Sequence, residues 1–205
     1  MSDSWKEITR ATYNAVAEGY AYRDTQEIDE TEEHRSAAAM FCKLIPAGGR
    51  ILDVGCAAGR DARYFHDRGF EVTGIDFSER MIEEARSVNP AIEFEVMDFE
   101  ALRLDRTFDG IWAAASLHHL PKKNLPGVLQ NLYRLLKPGG QFFVKVKHGD
   151  RDGMRSNEKF GITANRYFAF YEVPELETAL QDSNFTVSSI RTVTDDEWID
   201  ALCTK

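Results

Sequence analysis

The feature that most constrains this chain is a regular alternation of strand and helix patterns, which begins at residue 50. Short apolar or alternating runs predict strands at residues 50–55, 70–75, 92–97, 108–114 and 141–147. Helical patterns separate them at residues 59–68, 78–88 and 125–136. Because strand–helix–strand units with short connections make right-handed crossovers, this pattern predicts a parallel sheet with helices on both faces.

The last part of the chain has a different pattern. Residues 174–181 predict a helix, and residues 185–193 and 198–204 predict two strands with no helix between them. Strands joined by a segment as short as Thr194–Glu197 are expected to pair antiparallel. The predicted fold class is therefore α/β: a doubly wound, mostly parallel seven-stranded sheet with helices on both faces and a C-terminal antiparallel hairpin.

The predicted organisation is a single domain over residues 1–205, a length that can bury a full core without disulfides. Residues 1–46 are expected to form an N-terminal helical cap over this domain. Residues 148–171 are expected to form a long loop, and a loop of this length in a compact domain is usually functional. Residues 148–171 are therefore a candidate functional loop.

Composition and charge argue against several classes of function. The 34 acidic and 25 basic residues give a net charge of −9, and an acidic surface repels the phosphates of nucleic acids. No apolar run is long enough to span a membrane, and the first residues do not resemble a signal peptide. The three cysteines lack metal-binding spacing, so we expect no metal site and a reducing, cytoplasmic location. A monomer and a homodimer are both compatible with the sequence.

The segment between the first strand and the first helix, residues 53–59 (DVGCAAG), carries the strongest chemical signal. Ligands of open α/β sheets bind at the carboxyl ends of the strands, where this segment lies. Gly55 and Gly59 permit a close approach of backbone and ligand. The spacing is not the G-x-G-x-x-G of dinucleotide-binding loops, and Asp53 precedes it. The segment therefore favours a ligand with a cationic centre over a pyrophosphate.

Two further carboxylates are predicted at the same edge of the sheet. Asp76 ends the second strand, where a carboxylate can accept hydrogen bonds from ribose hydroxyls. Asp98 ends the third strand, where it can accept from an adenine amino group while Met97 or Phe99 packs on the ring. Each acid could alternatively be an ordinary turn residue, but three acids after three successive strands favour a nucleoside-containing ligand.

Five motifs, in this order, resemble the class I S-adenosylmethionine-dependent methyltransferases: ILDVGCAAGRD, VTGIDFSERMIEEAR, VMDF, FDGIWAAASLHHLP and LLKPGGQFFVKVK. The resemblance covers residues 35–205 and is closest to small one-domain members. It implies an enzyme that uses S-adenosylmethionine, releases S-adenosylhomocysteine and transfers a methyl group in line to a small-molecule acceptor. Such a displacement depends on alignment and a dry site, so it does not require a catalytic base.

The resemblance also implies which residues bind the cofactor. Gly55, Ala57 and Gly59 would border its methionine part, Asp76 its ribose and Asp98 its adenine. The other implied neighbours are Phe77, Met97 and Phe99 around the adenine ring, with Ala114 and Ser116 beside the sulfur.

Two features of the implied cofactor site need comment. The family commonly has glycine where this chain has Ala57, and a methyl group there is tolerated only if φ stays negative. The first helix of family members often folds over the cofactor. Tyr20 and Arg35 are therefore candidates to bind the cofactor's carboxylate. Arg35 is favoured because an arginine can bind a carboxylate with two hydrogen bonds. Tyr13 is assigned to core packing.

The resemblance implies that residues 148–171 form the acceptor-site loop. Few residues are candidates for catalysis or for binding the methyl acceptor. His118 and His119 follow the fourth strand and are candidate catalytic residues, although packing of the strand–helix turn is the alternative interpretation. Lys145, Arg166 and Tyr171 are candidate acceptor-binding residues, because cationic and aromatic side chains suit a planar or anionic small molecule. Solvated or packed surface residues are the alternative for each.

Three other functions remain open at the level of sequence. The acceptor could be an RNA nucleoside, which the net charge disfavours. A nicotinamide-dependent oxidoreductase is disfavoured by the glycine spacing and by the lack of a Tyr-x-x-x-Lys pair. A catalytically silent cofactor-binding protein would retain Asp76 and Asp98 without turnover.

Overall fold

The computed structural model describes residues 4–26, 31–195 and 197–205. Its centre is a sheet in the order β3-β2-β1-β4-β5-β10-β9, with a short strand, β8, beside the end of β5. Strands β1 to β5 are parallel, and β10 lies antiparallel between β5 and β9. The strand bounds are β1 Arg50–Val54, β2 Glu71–Asp76, β3 Glu93–Val96, β4 Phe108–Ala114, β5 Leu136–His148, β6 Gly153–Lys159, β7 Ile162–Phe168, β8 Phe170–Tyr171, β9 Thr186–Val193 and β10 Trp198–Thr204.

Helices cover both faces of the sheet, as predicted. The helix bounds are α1 Ser4–Thr25, α2 Glu32–Leu44, α3 Arg60–His66, α4 Glu79–Val88, α5 Leu125–Leu135 and α6 Val173–Asp182. Helices α2, α3 and α4 pack on one face, where Trp112 of β4 stacks on Phe143 of β5 with 4.0 Å between ring centroids. Helices α5 and α6 pack on the other face. The predicted α/β class with a C-terminal antiparallel hairpin is confirmed.

Local sequence signals explain why the helices begin where they do. The side chain of Ser78 accepts a hydrogen bond from the Met81 backbone N–H at 3.1 Å and so caps α4. Gly59 precedes α3 with φ of 87°, a left-handed conformation that glycine adopts without steric cost. The leucine stripe of α5 is buried against the sheet, as its three- and four-residue spacing predicts. The N-termini of α3 and α4 therefore lie at the carboxyl edge of the parallel strands.

Residues 148–171, expected to form one long loop, contain three strands. Strands β6 and β7 form an antiparallel hairpin outside the main sheet, and β8 then joins the end of β5. The side chains of β6 are largely exposed, so this strand lacks the apolar alternation by which strands are recognised. Residues 137–140, between the helix expected at 125–136 and the strand expected at 141–147, form a bulge within β5.

Helix α1 lies over the carboxyl edge of the sheet and is joined to the β6–β7 hairpin and to α4. Thr12 donates its hydroxyl hydrogen to the Asn165 carbonyl at 2.7 Å, and the Tyr167 backbone N–H donates to the Thr9 hydroxyl at 3.0 Å. On the other side, Ser78 donates to the Asn14 side chain at 2.6 Å. None of the described helices is long and apolar enough to cross a bilayer.

Candidate functional site

A cavity of about 430 Å³ lies at the carboxyl ends of the parallel strands, beneath α1 and the β6–β7 hairpin. Most of the sequence-predicted site residues line it: Tyr20, Asp53, Gly55, Ala57, Asp76, Phe77, Asp98, Phe99, Ala114, Ser116, His118, His119 and Arg166. The fold thus brings together side chains from the ends of β1, β2 and β4, from the segment after β3 and from β7. A cavity of this size, with a few converging polar groups, is typical of a small-molecule site.

Three predicted residues on the cofactor side lie outside the cavity lining. Gly59 shapes the backbone instead, since a Cβ there would lie 2.8 Å from Phe94 and from the Asn89 side chain. Met97 packs against the apolar core. Arg35 is exposed on α2, with Nε 3.6 Å from a Glu32 carboxylate oxygen, because the core-facing positions of that helix turn it outward. The structure therefore corrects the assignment of Arg35 to the cofactor's carboxylate.

Two predicted acceptor-binding residues are also elsewhere. Lys145 is buried, and its Nζ lies 3.4 Å from a carboxylate oxygen of Asp200 on the adjacent strand. Tyr171 is buried in the core cluster under α6. Lys147, two residues after Lys145 on the same face of β5, lines the cavity in its place. Of the three predicted acceptor residues, only Arg166 therefore lies at the cavity.

Asp76 is held in place by backbone donors. Its carboxylate accepts from the Ala57 N–H at 3.1 Å and from the Ser78 N–H at 2.9 Å. Burial raises the pKa of Asp76 to about 6, although these two N–H groups favour the ionised form. The side chain is thus fixed at the end of β2, between the glycine loop and the start of α4.

The loop residue Ala57 has a φ of 49°, in the left-handed region. An alanine in this region is strained, because its Cβ crowds the following carbonyl. Ala57 therefore does not have the negative φ at which alanine could replace the family's glycine without consequence. The Ala57 N–H nevertheless donates to Asp76, so the loop keeps its link to β2.

Asp53 and Ser116 carry buried side-chain oxygens that are not hydrogen-bonded to any described residue. Asp53 is 3% exposed, and among the described residues neither its Oδ2 nor the Ser116 hydroxyl has a hydrogen-bond partner. Burial, together with the neighbouring carboxylates Asp61 and Asp76, raises the pKa of Asp53. A Cβ at Gly55 would lie 2.3 Å from Ser116 Cβ, so only glycine permits this approach of the two segments. Buried polar groups without partners cost free energy, and a bound ligand would satisfy them.

Asp61 also lines the cavity, and its carboxylate accepts three hydrogen bonds. It accepts from His34 Nε2 at 3.0 Å, from the Trp112 indole N–H at 2.8 Å and from Arg60 Nε at 2.9 Å. Although burial alone would raise the pKa of Asp61, His34 and Arg60 hold it well below its usual range. This network joins α2, α3 and β4 directly beneath the glycine loop.

Asp98 lies at the opposite end of the cavity, after β3. One carboxylate oxygen accepts from the Glu100 N–H at 2.9 Å, and the other lies 2.7 Å from Lys6 Nζ of α1. Lys6 also contacts the Glu100 carboxylate. Phe77 and Phe99 line the cavity between Asp76 and Asp98. Helix α1 therefore contacts this end of the cavity through a charged pair.

The two histidines are in different environments. The Nδ1 of His119 lies 2.6 Å from the Tyr167 carbonyl and must carry the proton, so Nε2 accepts from the Tyr13 hydroxyl at 2.5 Å. Burial lowers the pKa of His119 to about 3. Burial, with His119 and Lys147 nearby, also lowers the pKa of His118, whose Nδ1 has no partner among the described residues. Of these two histidines, His118 is the one left with a ring nitrogen for a ligand.

Several lining residues were missed in the sequence. Tyr13, assigned to core packing, lines the cavity, as do Arg23 and Lys6 of the same helix. The signal was present, because Tyr13, Tyr20 and Arg23 are separated by whole helical turns and share a face of α1. Phe168 and Trp198 come from β7 and β10, and no sequence signal distinguished them from other strand aromatics.

The chain matches known proteins over this part of the fold. A family model described as a methyltransferase domain matches residues 51–140, from β1 to the bulge in β5. The malonyl-[acyl-carrier protein] O-methyltransferase of Enterobacter lignolyticus is 38% identical over 129 residues, 62% of this chain and 50% of that protein. The 27-O-demethylrifamycin SV methyltransferase of Amycolatopsis mediterranei is 38% identical over 161 residues, 65% of this chain and 58% of that protein.

Solved structures share the fold more completely. The Burkholderia thailandensis 1,6-didemethyltoxoflavin-N1-methyltransferase, solved with its acceptor and S-adenosylhomocysteine, superposes with a TM-score of 0.75. It is 23% identical, with 98% of this chain and 89% of that chain covered. The chain spans about half the length of the curated relatives it matches. Residues 51–140 therefore match a methyltransferase domain, and the fold as a whole is similar to that of solved methyltransferases.

Proposed function

We propose that this chain is a methyltransferase that binds S-adenosylmethionine and transfers its methyl group to a small-molecule acceptor. The observation that carries the proposal is the convergence of Asp53, Asp76 and Asp98 on one cavity at the carboxyl ends of β1, β2 and β3. Three acids at the ends of three neighbouring strands match the cationic amino group, the ribose and the adenine of one nucleoside. Bound S-adenosylmethionine supplies an electrophilic methyl group on a sulfonium.

The residues present fit this cofactor. The unpartnered Oδ2 of Asp53 is a ready acceptor for its ammonium group, and the Ser116 hydroxyl lies across the loop from Gly55. Asp76, oriented by two backbone N–H groups, accepts from the ribose hydroxyls. Asp98 accepts from the adenine amino group, sharing its carboxylate with Lys6, while Phe77 and Phe99 flank the ring.

The chain's own contribution is orientation and exclusion of water. Helix α1 and the β6–β7 hairpin cover the cavity and are linked by two hydrogen bonds, one that the Thr12 hydroxyl donates and one that the Thr9 hydroxyl accepts. A dry, aligned site is what an in-line displacement needs, and aligned reactants remove much of the entropic barrier. His118 remains neutral because its pKa is lowered, so it serves the acceptor as a hydrogen-bond partner and not as a strong base.

A small-molecule acceptor is favoured over an RNA nucleoside by the covered cavity and by the net charge of −9. An RNA acceptor would require a nucleotide extruded from its strand and a basic surface for the adjoining phosphates. The acidic composition makes such a surface costly to provide, although single basic side chains line the cavity.

Calorimetric titration tests the proposal. We expect S-adenosylmethionine and S-adenosylhomocysteine to bind in the micromolar range and NAD not to bind. Asp76→Ala should weaken both affinities about ten- to hundredfold, since it removes hydrogen bonds to a charged group. The matched control Asp105→Ala, at an exposed acid outside the cavity, should leave them unchanged. Binding of NAD alone, or no cofactor binding, would overturn the proposal.

Turnover is tested with the methyl group of S-adenosylmethionine radiolabelled. We expect label to pass to a member of a small-molecule panel and not to bulk RNA. Cofactor binding without transfer to any compound or RNA would instead support a catalytically silent binding protein.

A further inference from the structure

The lining of the cavity is divided by charge. Five carboxylates of the described residues line it, and these come from the part of the chain up to the segment after β3: Asp24, Asp53, Asp61, Asp76 and Asp98. Among the described residues, the lining from Ser116 onward contributes Lys147, Lys159 and Arg166 and no carboxylate. We call this second set, from Ser116 to Trp198, the acceptor half. The acceptor half therefore contributes positive charge and no negative charge to the cavity.

Arg166 is the most unusual cation in the acceptor half. It is 8% exposed, and the partners of its guanidinium among the described residues are neutral: the Asn157 side-chain oxygen at 2.8 Å and the Tyr13 hydroxyl at 3.3 Å. Its Nε has no partner among the described residues. A buried charge without a counter-ion is costly, because desolvation is not offset by an ion pair. Within the part of the chain that the structure describes, Arg166 is thus a buried cation without an anionic partner.

Three of the other lining cations already have a carboxylate partner. Lys147 has a carboxylate of its own, since its Nζ lies 3.3 Å from Glu197 and 4.0 Å from the Trp198 ring centroid. Arg23 and Arg60, near the glycine loop, are paired with Asp24 and Asp61. An anionic ligand group is therefore best stabilised at Arg166, whose planar fork suits a carboxylate.

Flat rings form the walls beside Arg166. His118 and Phe168 are stacked, with centroids 5.4 Å apart and planes 11° apart, and Trp198 stands at 76° to His118 at 5.4 Å. The Arg166 guanidinium carbon lies 5.1 Å from the Phe168 centroid. Faces of this kind favour a flat aromatic ligand through offset or edge contacts. The unpartnered Nδ1 of His118 adds a hydrogen-bonding position at the same wall.

We propose that the methyl acceptor is a flat aromatic carboxylate, with its carboxylate at Arg166 and its ring against Phe168 and Trp198. This inference rests on the proposed function, since it concerns the second ligand of the same cavity. Neutral and cationic ring compounds are disfavoured because they leave the Arg166 charge uncompensated. A hydroxyl or amino group on the ring is the group that meets His118.

The test uses matched probes in the presence of saturating S-adenosylhomocysteine. Benzene, naphthalene and quinoline rings that carry a hydroxyl are each prepared as the carboxylate, the carboxamide and the aminomethyl compound. We expect calorimetry to show the carboxylate binding at least tenfold more tightly than the carboxamide on every ring that binds, with the amine weakest. Arg166→Gln should abolish this preference, Arg166→Lys should retain part of it, and Arg155→Gln, at the facing exposed position of β6, should leave it intact.

The outcomes separate this inference from the proposed function. If the wild-type protein does not bind S-adenosylhomocysteine, the proposed function fails and this inference fails with it. If it binds, and no carboxylate binds or the carboxamides bind as well, only the inference is overturned. If Arg166→Gln weakens S-adenosylhomocysteine binding as much as carboxylate binding, Arg166 binds the cofactor and the inference is wrong. A thermal unfolding curve for each variant shows whether it has retained its fold.

Discussion

The hydroxyl of Tyr13 lies 2.5 Å from Nε2 of His119, and this hydrogen bond joins α1 to the segment after β4. The same histidine donates from Nδ1 to the Tyr167 carbonyl of β7. One imidazole therefore links α1, the segment after β4 and β7, all of which contribute residues to the cavity lining. Because both groups are buried, the pKa of Tyr13 is raised and that of His119 is lowered, and both side chains stay neutral.

Tyr13→Phe should lower the free energy of unfolding by about 1–3 kcal/mol, because it leaves the buried His119 Nε2 without a donor. Urea unfolding followed by circular dichroism measures the change. Tyr22→Phe is the matched control, since the Tyr22 side chain is 67% exposed and its substitution should cost little. Equal stability of Tyr13→Phe and the wild-type protein would show that this hydrogen bond does not contribute to the link.

Ala57→Gly should raise both stability and cofactor affinity. Alanine at a φ of 49° costs about 1–2 kcal/mol relative to a relaxed backbone, and the greater freedom of glycine in the unfolded chain offsets about 0.4–1 kcal/mol of the gain. We expect a net increase of about 0.5–1 kcal/mol in the free energy of unfolding. Tighter binding of S-adenosylhomocysteine should accompany it, because the loop lining widens. Ala58→Gly, at a buried alanine without positive φ, should destabilise instead and serves as the control.

The sheet and the cluster of acids could be predicted because their signals are local. Apolar periodicity identified β1 to β5, and the residue at each strand end located Asp53, Asp76 and the neighbouring Asp98. The β6–β7 hairpin could not be predicted in this way. Its two-residue turn is Phe160–Gly161, with φ of 51° and 75°, and phenylalanine is not a residue that indicates such a turn.

Tertiary packing explains why Arg35 and Lys145 do not lie at the cavity. Arg35 was chosen for its charge, but Phe41 and the alanines of α2 pack on the sheet and turn Arg35 to solvent. Lys145 was chosen for its position on β5, but the partner that fixes it, Asp200, comes from a strand far along the chain. Both outcomes depend on tertiary packing, which no local pattern of residues specifies.

Affinity for S-adenosylhomocysteine should fall as the pH drops through about 6. Asp76 accepts ribose hydrogen bonds best when ionised, and burial raises its pKa to about 6. At pH 5 the ionised fraction is about one tenth, so affinity should be roughly tenfold below its plateau at pH 7.5 and above. Calorimetry between pH 5 and 8 measures the profile. In Asp76→Asn, whose side chain does not titrate, the plateau affinity should be lower and this dependence should disappear; an unchanged profile would assign it to another group.

The raised pKa of Asp76 predicts the opposite pH dependence for the free energy of unfolding. The folded-state pKa of Asp76 is raised above its unfolded value of 3.8, so folding takes up a proton between these two values. The contribution of Asp76 to the free energy of unfolding is fully present below pH 3.8 and is lost as the pH rises through about 6. Urea unfolding at a series of pH values, with Asp76→Asn as the reference, isolates this contribution. A difference between the two proteins that does not change between pH 4 and 7 would contradict it.

Gly19 of α1 packs directly on Phe160 at the tip of the β6–β7 hairpin. A Cβ at Gly19 would lie 2.4 Å from the Phe160 ring and 2.9 Å from its Cβ, so the contact cannot be relieved by a simple ring rotation. Gly19→Ala should therefore destabilise the protein and hasten dissociation of S-adenosylhomocysteine, because the helix and the hairpin that cover the cavity are pushed apart.

The sign of the effect should reverse when Phe160 is removed. In a Phe160→Ala background the steric conflict is absent, and Gly19→Ala should gain the helix propensity of alanine, about 1 kcal/mol. Urea unfolding of the two single variants and the double variant gives the coupling between the sites. A gain or a loss of the same size in both backgrounds would mean that Gly19 and Phe160 are energetically independent, and that close packing of α1 on the hairpin does not hold the cavity closed.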